Sequence, residues 1–324
     1  MLETPYQLKQ SWDSSSPPVD VVIPTLNCKS NLVRCLERLR AQDYRGDTRI
    51  VVVDGGSTDG TVDVALRFGC DLIARPGIYG TGLTGARHLG ESSGNAPLVW
   101  LVDSDNFIKE DEAEAALVRP LVEDPNISFS VPLPYVDRDM NSFNQWLNMF
   151  ERELVVTSAR EGIRMSGWVR VAEMTHGLSN CTMIRRSALE AAGGYDSDTR
   201  LLRRLRLLGL SSCAIVPSSQ FVHKQTSGVL DFARKTRRRL QRFGKMSSEE
   251  LELYFVDPPA SQRKEKPEFL RSLKELARAP AVALKGFAST GDSSWLWGMA
   301  FPIVIAMILV SLPKTSARVY SRFY

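Results

Sequence analysis

Asp103 and Asp105 end an apolar run, Pro97-Leu98-Val99-Trp100-Leu101-Val102, and only Ser104 separates them. The run is short, carries branched residues at its centre and lacks helical spacing, so it reads as a buried strand. Two carboxylates at its end carry a large desolvation cost unless solvent, cations or a metal meets them. In an open α/β sheet, ligands sit in the crevice beyond the carboxyl ends of the strands. Asp-x-Asp in that place suits a hard divalent ion such as Mg2+, which keeps few protein carboxylates and takes further oxygens from phosphates. Taken by itself, the same pair of acids also fits a solvated loop.

The elements that must position these acids follow from the apolar pattern. Residues 19–23 are strand-like and stop at Pro24, followed by Thr25. Leu32, Val33, Cys35, Leu36 and Leu39 recur at helical spacing. Residues 49–53 form a second buried strand ending at Asp54, and residues 54–61 turn into a helix with Val62, Ala65 and Leu66 on one face. Residues 71–74 make a short third strand, and a glycine-rich loop at 77–85 feeds the segment around Arg87. The Asp-x-Asp strand is fourth and residues 127–131 are fifth. This alternation predicts an α/β fold with a mainly parallel, doubly wound, Rossmann-like sheet. Thr25, Asp54, Asp103 and Asp105 then fall along one edge, where a nucleotide would lie.

Composition bounds the rest. The 324 residues are 43% hydrophobic and 24% charged, a globular balance with room for one large domain plus appendages, or two domains. A net charge of +4 makes the placement of charge more telling than its total. Cys28, Cys35, Cys70, Cys181 and Cys213 are scattered without a Cys-x-x-Cys pair, which argues against a disulfide framework or zinc site and suits a reducing compartment. Residues 1–18 are polar and read as a flexible segment without the apolar centre of a secretory leader. Residues 293–313 carry no charge and match the roughly 20 apolar residues of a spanning helix. Trp295 and Trp297 lie at one end, and Lys314, Arg318 and Arg322 follow in a basic tail at 314–324. Lys274, Arg278 and Lys285 precede the span, so the basic residues leave its orientation open. Between 229 and 292, Arg234, Lys235, Arg237, Arg238, Arg239 and Arg242 make a basic helix suited to a solvated face or an anionic membrane surface. Phe269, Leu270, Leu273, Leu276 and Ala277 then form a stripe opposite Arg271, Lys274 and Arg278, the pattern of an interfacial or packing helix. The arginine run has few interleaved aromatics, which speaks against nucleic acid as a partner.

The ordered set Val22-Ile23-Pro24-Thr25-Leu26-Asn27, Val53-Asp54-Gly55-Gly56-Ser57-Thr58-Asp59-Gly60-Thr61 and Val102-Asp103-Ser104-Asp105 resembles the successive signatures of family 2 inverting glycosyltransferases of the GT-A fold. The resemblance implies a nucleotide-sugar donor, with Pro24, Thr25, Asp54 and Arg87 among the substrate-binding residues. Thr25 and Asp54 would contact nucleobase and ribose, Asp103 the ribose or metal, and Asp105 a Mg or Mn ion bridging the diphosphate. Many members carry a second acid after Asp54, where this chain has Gly55. Further on, His176-Gly177-Leu178-Ser179-Asn180-Cys181, Ile184-Arg185-Arg186 and Gly193-Gly194-Tyr195-Asp196-Ser197-Asp198 are similar to the family's acceptor segment, arginine pair, Gly-Gly-aromatic turn and acidic base. That implies Ser179 and Asn180 on the acceptor side and Asp198 as general base, with Asp196 a rival. Both acids also suit N-capping of the helix that follows. Val222-His223 resembles a strand-end histidine that reaches the metal or diphosphate. Arg239-Leu240-Gln241-Arg242-Phe243 resembles a degenerate Gln-x-x-Arg-Trp motif of the cellulose-synthase-like branch, which implies Arg239 and Arg242 near the donor diphosphate and acceptor channel.

The whole then reads as a membrane-bound hexosyltransferase: a GT-A catalytic domain at residues 19–228 on the cytoplasmic side, amphipathic interfacial helices at 229–292 and a C-terminal transmembrane helix. By resemblance, it moves mannose from GDP-mannose to a lipid-linked acceptor, a polyprenyl- or dolichol-linked glycan or phosphate. Two other readings stay open. Gly80-x-Gly82-x-x-Gly85, with Asp103 about 20 residues on, fits the dinucleotide site of an NAD(P)-dependent oxidoreductase, although residues 75–79 separate it from its strand. A non-catalytic, membrane-anchored nucleotide-binding subunit is the other.

Overall fold

The valine-rich runs before Pro24 and Asp54 have no polar face, as befits strands covered on both sides. They form β1 (Val19–Thr25), buried at every residue, and β2 (Thr48–Asp54), buried from Ile50 onward. The two pair in parallel, with Val19 opposite Thr48 and Thr25 opposite Asp54. The computed structural model describes residues 15–78, 83–160, 162–174, 181–195, 198–243 and 268–310. The chain divides into two units, Met1–Leu133 with Val155–Phe221 and Pro134–Leu154 with Val222–Tyr324.

Between and after these strands come α1 (Lys29–Arg40), α2 (Thr61–Arg67), β3 (Asp71–Ala74), α3 (Leu83–Glu91), β4 (Leu98–Leu101), β5 (Asn106–Ile108) and α4 (Ala113–Glu123). Then follow β6 (Phe129–Pro134), α5 (Ser142–Ala159), β7 (Ile163–Arg164), β8 (Val169–Val171), β9 (Met183–Arg185), α6 (Arg186–Ala191), α7 (Asp198–Leu207) and β10 (Cys213–His223). The helices α8 (Val229–Phe243), α9 (Glu268–Thr290) and α10 (Trp297–Val310) complete the chain. The sheet runs in the order β3-β2-β1-β4-β9-β6-β10-β8-β7, with β5 paired to β10.

The expectation of a mainly parallel sheet needs correction: the sheet is mixed. β3, β2, β1 and β4 are parallel, but β9 runs antiparallel to both β4 and β6, and β8 antiparallel to β10 and β7. A short buried strand has the same apolar signature in either direction, so its residues do not report its sense. The strand expected at 127–131 lies at Phe129–Pro134 and is sixth, because the three-residue β5 precedes it.

Two helices carry the residues that matter below. Leu201, Leu202 and Leu205 anchor α7 in the core with Val99, Leu101, Phe129 and Ile184, which fixes its first turn at Asp198. α3 packs Ala86 with Val51 and Val53. Gly90 sets how closely α3 lies on the sheet: a Cβ there would stand 2.4 Å from Val22 Cγ1 and 3.0 Å from Val53 Cγ2. Gly90→Val is expected to lift α3 and cost about 2 kcal/mol, typical of overpacking. Urea unfolding checks this; an unchanged midpoint would show that the sheet gives way freely.

Glu114, in the first turn of α4, is 1% exposed and accepts from Thr48 Oγ1 at 2.6 Å. Burial pushes its carboxyl up to about 7, with the Thr48 hydrogen bond opposing. A folded-state value above the unfolded one stabilises fully below the unfolded pKa, and the contribution fades as pH rises through the folded one. The native state should therefore lose up to about 3 kcal/mol between pH 4.5 and 7 from this group. Glu114→Gln should flatten that slope in melting experiments; a slope that survives would assign it elsewhere.

In the second unit, Phe143, Trp146, Leu147 and Ala279 form a core joined by Phe232, Trp297 and Phe301. The Trp146 and Phe301 ring centroids are 4.6 Å apart. A Cβ at Gly298 would stand 2.5 Å from Ala283 Cβ and 2.8 Å from Trp146 Nε1, so glycine lets α10 lie against α9. The apolar segment expected to span at 293–313 takes the form of a 3-10 turn, Ser293–Leu296, followed by α10, and residues 311–313 lie outside the described residues. Among the described residues no helix is long and apolar enough to cross a membrane.

Candidate active site

Asp54 ends β2 and organises the turn after it. It is 1% exposed. Its Oδ2 accepts from the backbone N–H groups of Gly56 at 2.9 Å and Ser57 at 2.8 Å. Its Oδ1 accepts from the Thr25 hydroxyl at 3.1 Å and from Ser57 Oγ. A carboxylate engaged by local N–H groups in this way fixes a turn. The adjoining loop after β1 is stitched to it. Asn27, left-handed at φ 49°, accepts on Oδ1 from the Thr58 N–H at 2.9 Å, and its own N–H donates to Ser57 Oγ at 2.8 Å. The Cys28 N–H donates to Thr61 Oγ1 and the Lys29 N–H to Asp59 Oδ2, both at 3.0 Å. Pro24 and Thr25 are buried beneath this rim, while Leu26 and Asn27 are exposed on it.

The Asp-x-Asp emerges at the same end of the sheet. The Val102 N–H donates to the Val22 carbonyl at 3.1 Å, which extends the β1–β4 pairing up to Asp103. Cys35, from α1, has its Sγ 3.8 Å from the Asp103 carbonyl. Burial, and then the nearby Asp105 and Asp103 charges, push the Cys35 thiol well above its usual range. The Cys28 thiol is also pushed up, mainly by burial, although its hydrogen bond to the Ser104 side chain opposes this. Both sulfurs are therefore protonated thiols.

The centre of the cluster is Arg87, carried on α3 and 3% exposed. Its Nη2 donates to Asp103 Oδ1 at 2.6 Å and its Nη1 reaches Asp198 Oδ1 at 3.3 Å. Nη1 also donates to the Tyr195 phenol oxygen, and the guanidinium carbon stands 5.0 Å from the Tyr195 ring centroid. Tyr195 in turn donates to Asp198 Oδ1 at 2.8 Å. Burial works against the charge on Arg87, but Asp103, Tyr195 and Asp198 outweigh it and hold the group protonated. Burial dominates at Tyr195 and pushes its hydroxyl well above the usual range, although Arg87 pulls the other way. Arg87, which the resemblance sets among the substrate-binding residues, lies buried between two carboxylates. Sequence reasoning alone does not single out Tyr195; the cue to it is a hydroxyl-bearing aromatic in the Gly-Gly-aromatic turn.

His223 belongs to the second unit, where its Nδ1 lies 3.4 Å from Glu151 Oε2 and its carbonyl accepts from Asn144 and Asn148, each at 2.9 Å. Ser179, Asn180 and Asp196 lie outside the described residues, as do Gly80 and Gly82. Arg239 and Arg242 lie on α8, with side chains outside the description.

Asp103, with its side chain 14% exposed, and half-buried Asp105 supply hard carboxylate oxygens one residue apart. Among the described residues no three His, Cys, Asp or Glu side chains gather as a metal cage. That donor set fits a hard ion such as Mg2+ or Mn2+ that takes its remaining oxygens from phosphate, and does not fit a thiolate or imidazole site.

An N-acetylglucosaminyltransferase of Azorhizobium caulinodans is 36% identical over 104 residues, 30% of this chain and 25% of that protein. Another, from Bradyrhizobium diazoefficiens, is 29% identical over 183 residues, 53% of this chain and 35% of that protein. The chain thus spans about a quarter to a third of the length of these curated relatives. Among solved structures, a mannosyltransferase from Pyrobaculum calidifontis in complex with GDP-Man and Mn2+ superposes with a TM-score of 0.55 at 19% identity, covering 93% of this chain and 90% of that one. That likeness identifies the architecture as a GT-A-like α/β fold with a mixed sheet. The Glycosyl transferase family 2 model matches residues 20–193, more than half of the sequence and the stretch that builds the Asp54 rim, the Asp-x-Asp and Arg87; the chain belongs to glycosyl transferase family 2.

Proposed function

We propose that the chain is an inverting glycosyltransferase that moves a hexose from a nucleotide sugar to an acceptor hydroxyl, with Asp198 as the general base. The observation that carries this reading is the Arg87 bridge, which joins Asp103 to Asp198 through one buried cation. The stitched rim around Thr25 and Asp54 shapes the donor side. Asp105, with Asp103 beside it, would hold Mg2+ or Mn2+, which when bound neutralises charge on the departing diphosphate. The Asp198 carboxylate takes the proton of the acceptor hydroxyl while that oxygen attacks the anomeric carbon from the face opposite the diphosphate. The bond to the diphosphate breaks with its electron pair, and the anomeric configuration inverts. For a phosphate acceptor, already anionic, Asp198 matters less.

Mannose from GDP-mannose is the first donor in this proposal, because the Pyrobaculum calidifontis neighbour was solved with GDP-Man and Mn2+. UDP-N-acetylglucosamine is its rival, because two matched relatives are named N-acetylglucosaminyltransferases. A lipid-linked acceptor at an anionic membrane surface belongs to the same proposal. Its support is that the second unit exposes Arg234, Lys235, Arg237 and Arg238 on α8 together with Phe287, Met299 and Ile303 on α9 and α10. All five cysteines are free thiols, which suits the cytoplasmic side.

The test incubates the protein and Mn2+ with membrane lipid extract and GDP-mannose, UDP-glucose or UDP-N-acetylglucosamine, and reads the lipids by mass spectrometry. A lipid gaining one hexose or N-acetylhexosamine mass supports transfer. Donor binding without turnover on any of the three would instead make the chain a nucleotide-binding subunit.

A further inference from the structure

Tyr195 sits in the chain's Gly-Gly-aromatic turn, held by backbone geometry. Gly193 and Gly194 both adopt φ of 79°, and a Cβ at Gly194 would stand 2.8 Å from Glu91 Oε1 and from the His88 ring. The Tyr195 N–H then donates to Glu91 Oε1 at 3.1 Å, and Glu91 is itself buried on α3. The ring is 4% exposed. From this fixed point the hydroxyl meets Arg87 Nη1 and Asp198 Oδ1.

The chemistry of these partners fixes the direction of both bonds. A guanidinium has donors and no acceptor, so the phenol oxygen accepts from Arg87. Its single proton is then left for Asp198. Burial keeps that proton in place, since it raises the hydroxyl well above its usual range. An oxygen that accepts from a cation also becomes a stronger donor.

We infer that Tyr195 is a positioning residue for the transfer reaction, its hydroxyl aiming the Asp198 carboxylate at the acceptor while Arg87 ties the same carboxylate to Asp103. This rests on the reading of Asp198 as the base. Phenylalanine would keep the ring over Arg87 and remove the 2.8 Å bond to Asp198, while the 3.3 Å reach of Arg87 to the same carboxylate oxygen stays.

The test uses the full chain with Mn2+ and the donor of the three that releases most nucleoside diphosphate, with water as acceptor. Tyr195→Phe should lower kcat roughly ten- to a hundredfold, the scale of a lost hydrogen bond to a charged group, while leaving the donor KM within about twofold. In an Asp198→Asn background the same change should cost nothing further, because a residue that acts through another loses its effect when the other is gone. Additive losses, or a Phe variant with unchanged kcat, would overturn the assignment. If the Phe variant fails to fold, ring-fluorinated tyrosine at 195 strengthens the donor without removing it, and kcat should shift with KM fixed; no shift overturns it equally. Full turnover in Asp198→Asn alone would instead remove the base reading, so the two failures are told apart.

Discussion

Asp198→Asn is expected to lower turnover about a thousandfold while donor affinity stays within about twofold, in the range that general bases contribute. The substitution is close to isosteric. The asparagine carbonyl still accepts from the Tyr195 hydroxyl and Arg87 Nη1, so the contacts at 2.8 Å and 3.3 Å survive. What disappears is a group that can take up a proton. The expected signature is therefore an intact fold and intact donor binding, the latter by calorimetric titration with GDP-mannose, against product formation that falls to a residue in chromatography. Undiminished transfer would move the base to Asp196 or show that the acceptor oxygen arrives already anionic.

The second large effect belongs to Asp105→Ala, for which we expect a loss of metal-stimulated transfer of about a hundred- to a thousandfold. Asp105 is half-buried at the end of the sheet, and its charge is felt by the buried Cys35 thiol beneath. Removing it leaves Asp103, one of whose oxygens Arg87 already engages at 2.6 Å. A single shared carboxylate is a weak hold for a hard divalent ion. Mn2+ affinity by calorimetry should fall in step with turnover, and a chelator added to the unaltered protein should reproduce the loss. Turnover that ignores both the substitution and the chelator would take the metal out of the reaction.

Much of this was legible in the chain itself. The valine-rich runs before Pro24 and Asp54 and the apolar run before Asp103 announce buried strands, and an acid or hydroxyl at the end of each announces a polar rim. These are local properties, set by side-chain type and spacing along a few residues. The sense of β9 was not legible, because Met183-Ile184-Arg185 is too short for its pattern to depend on direction. Nor was the inward turn of Asp54, whose partners Gly56 and Ser57 are neighbours but whose third, Thr25, arrives from another strand.

The residues themselves determined that this is an α/β chain with carboxylates gathered where strands end, and the order of its motifs determined its family resemblance. Only the tertiary structure decided that Arg87 and Tyr195 would meet Asp103 and Asp198. α3 and α7 reach that meeting through packing far from it, α3 at Gly90 against Val22 and Val53, α7 through Leu201, Leu202 and Leu205 in the core. A buried arginine must find acids to balance its charge, but its own neighbours in sequence do not say which; that is settled by where separate helices come to rest on one sheet.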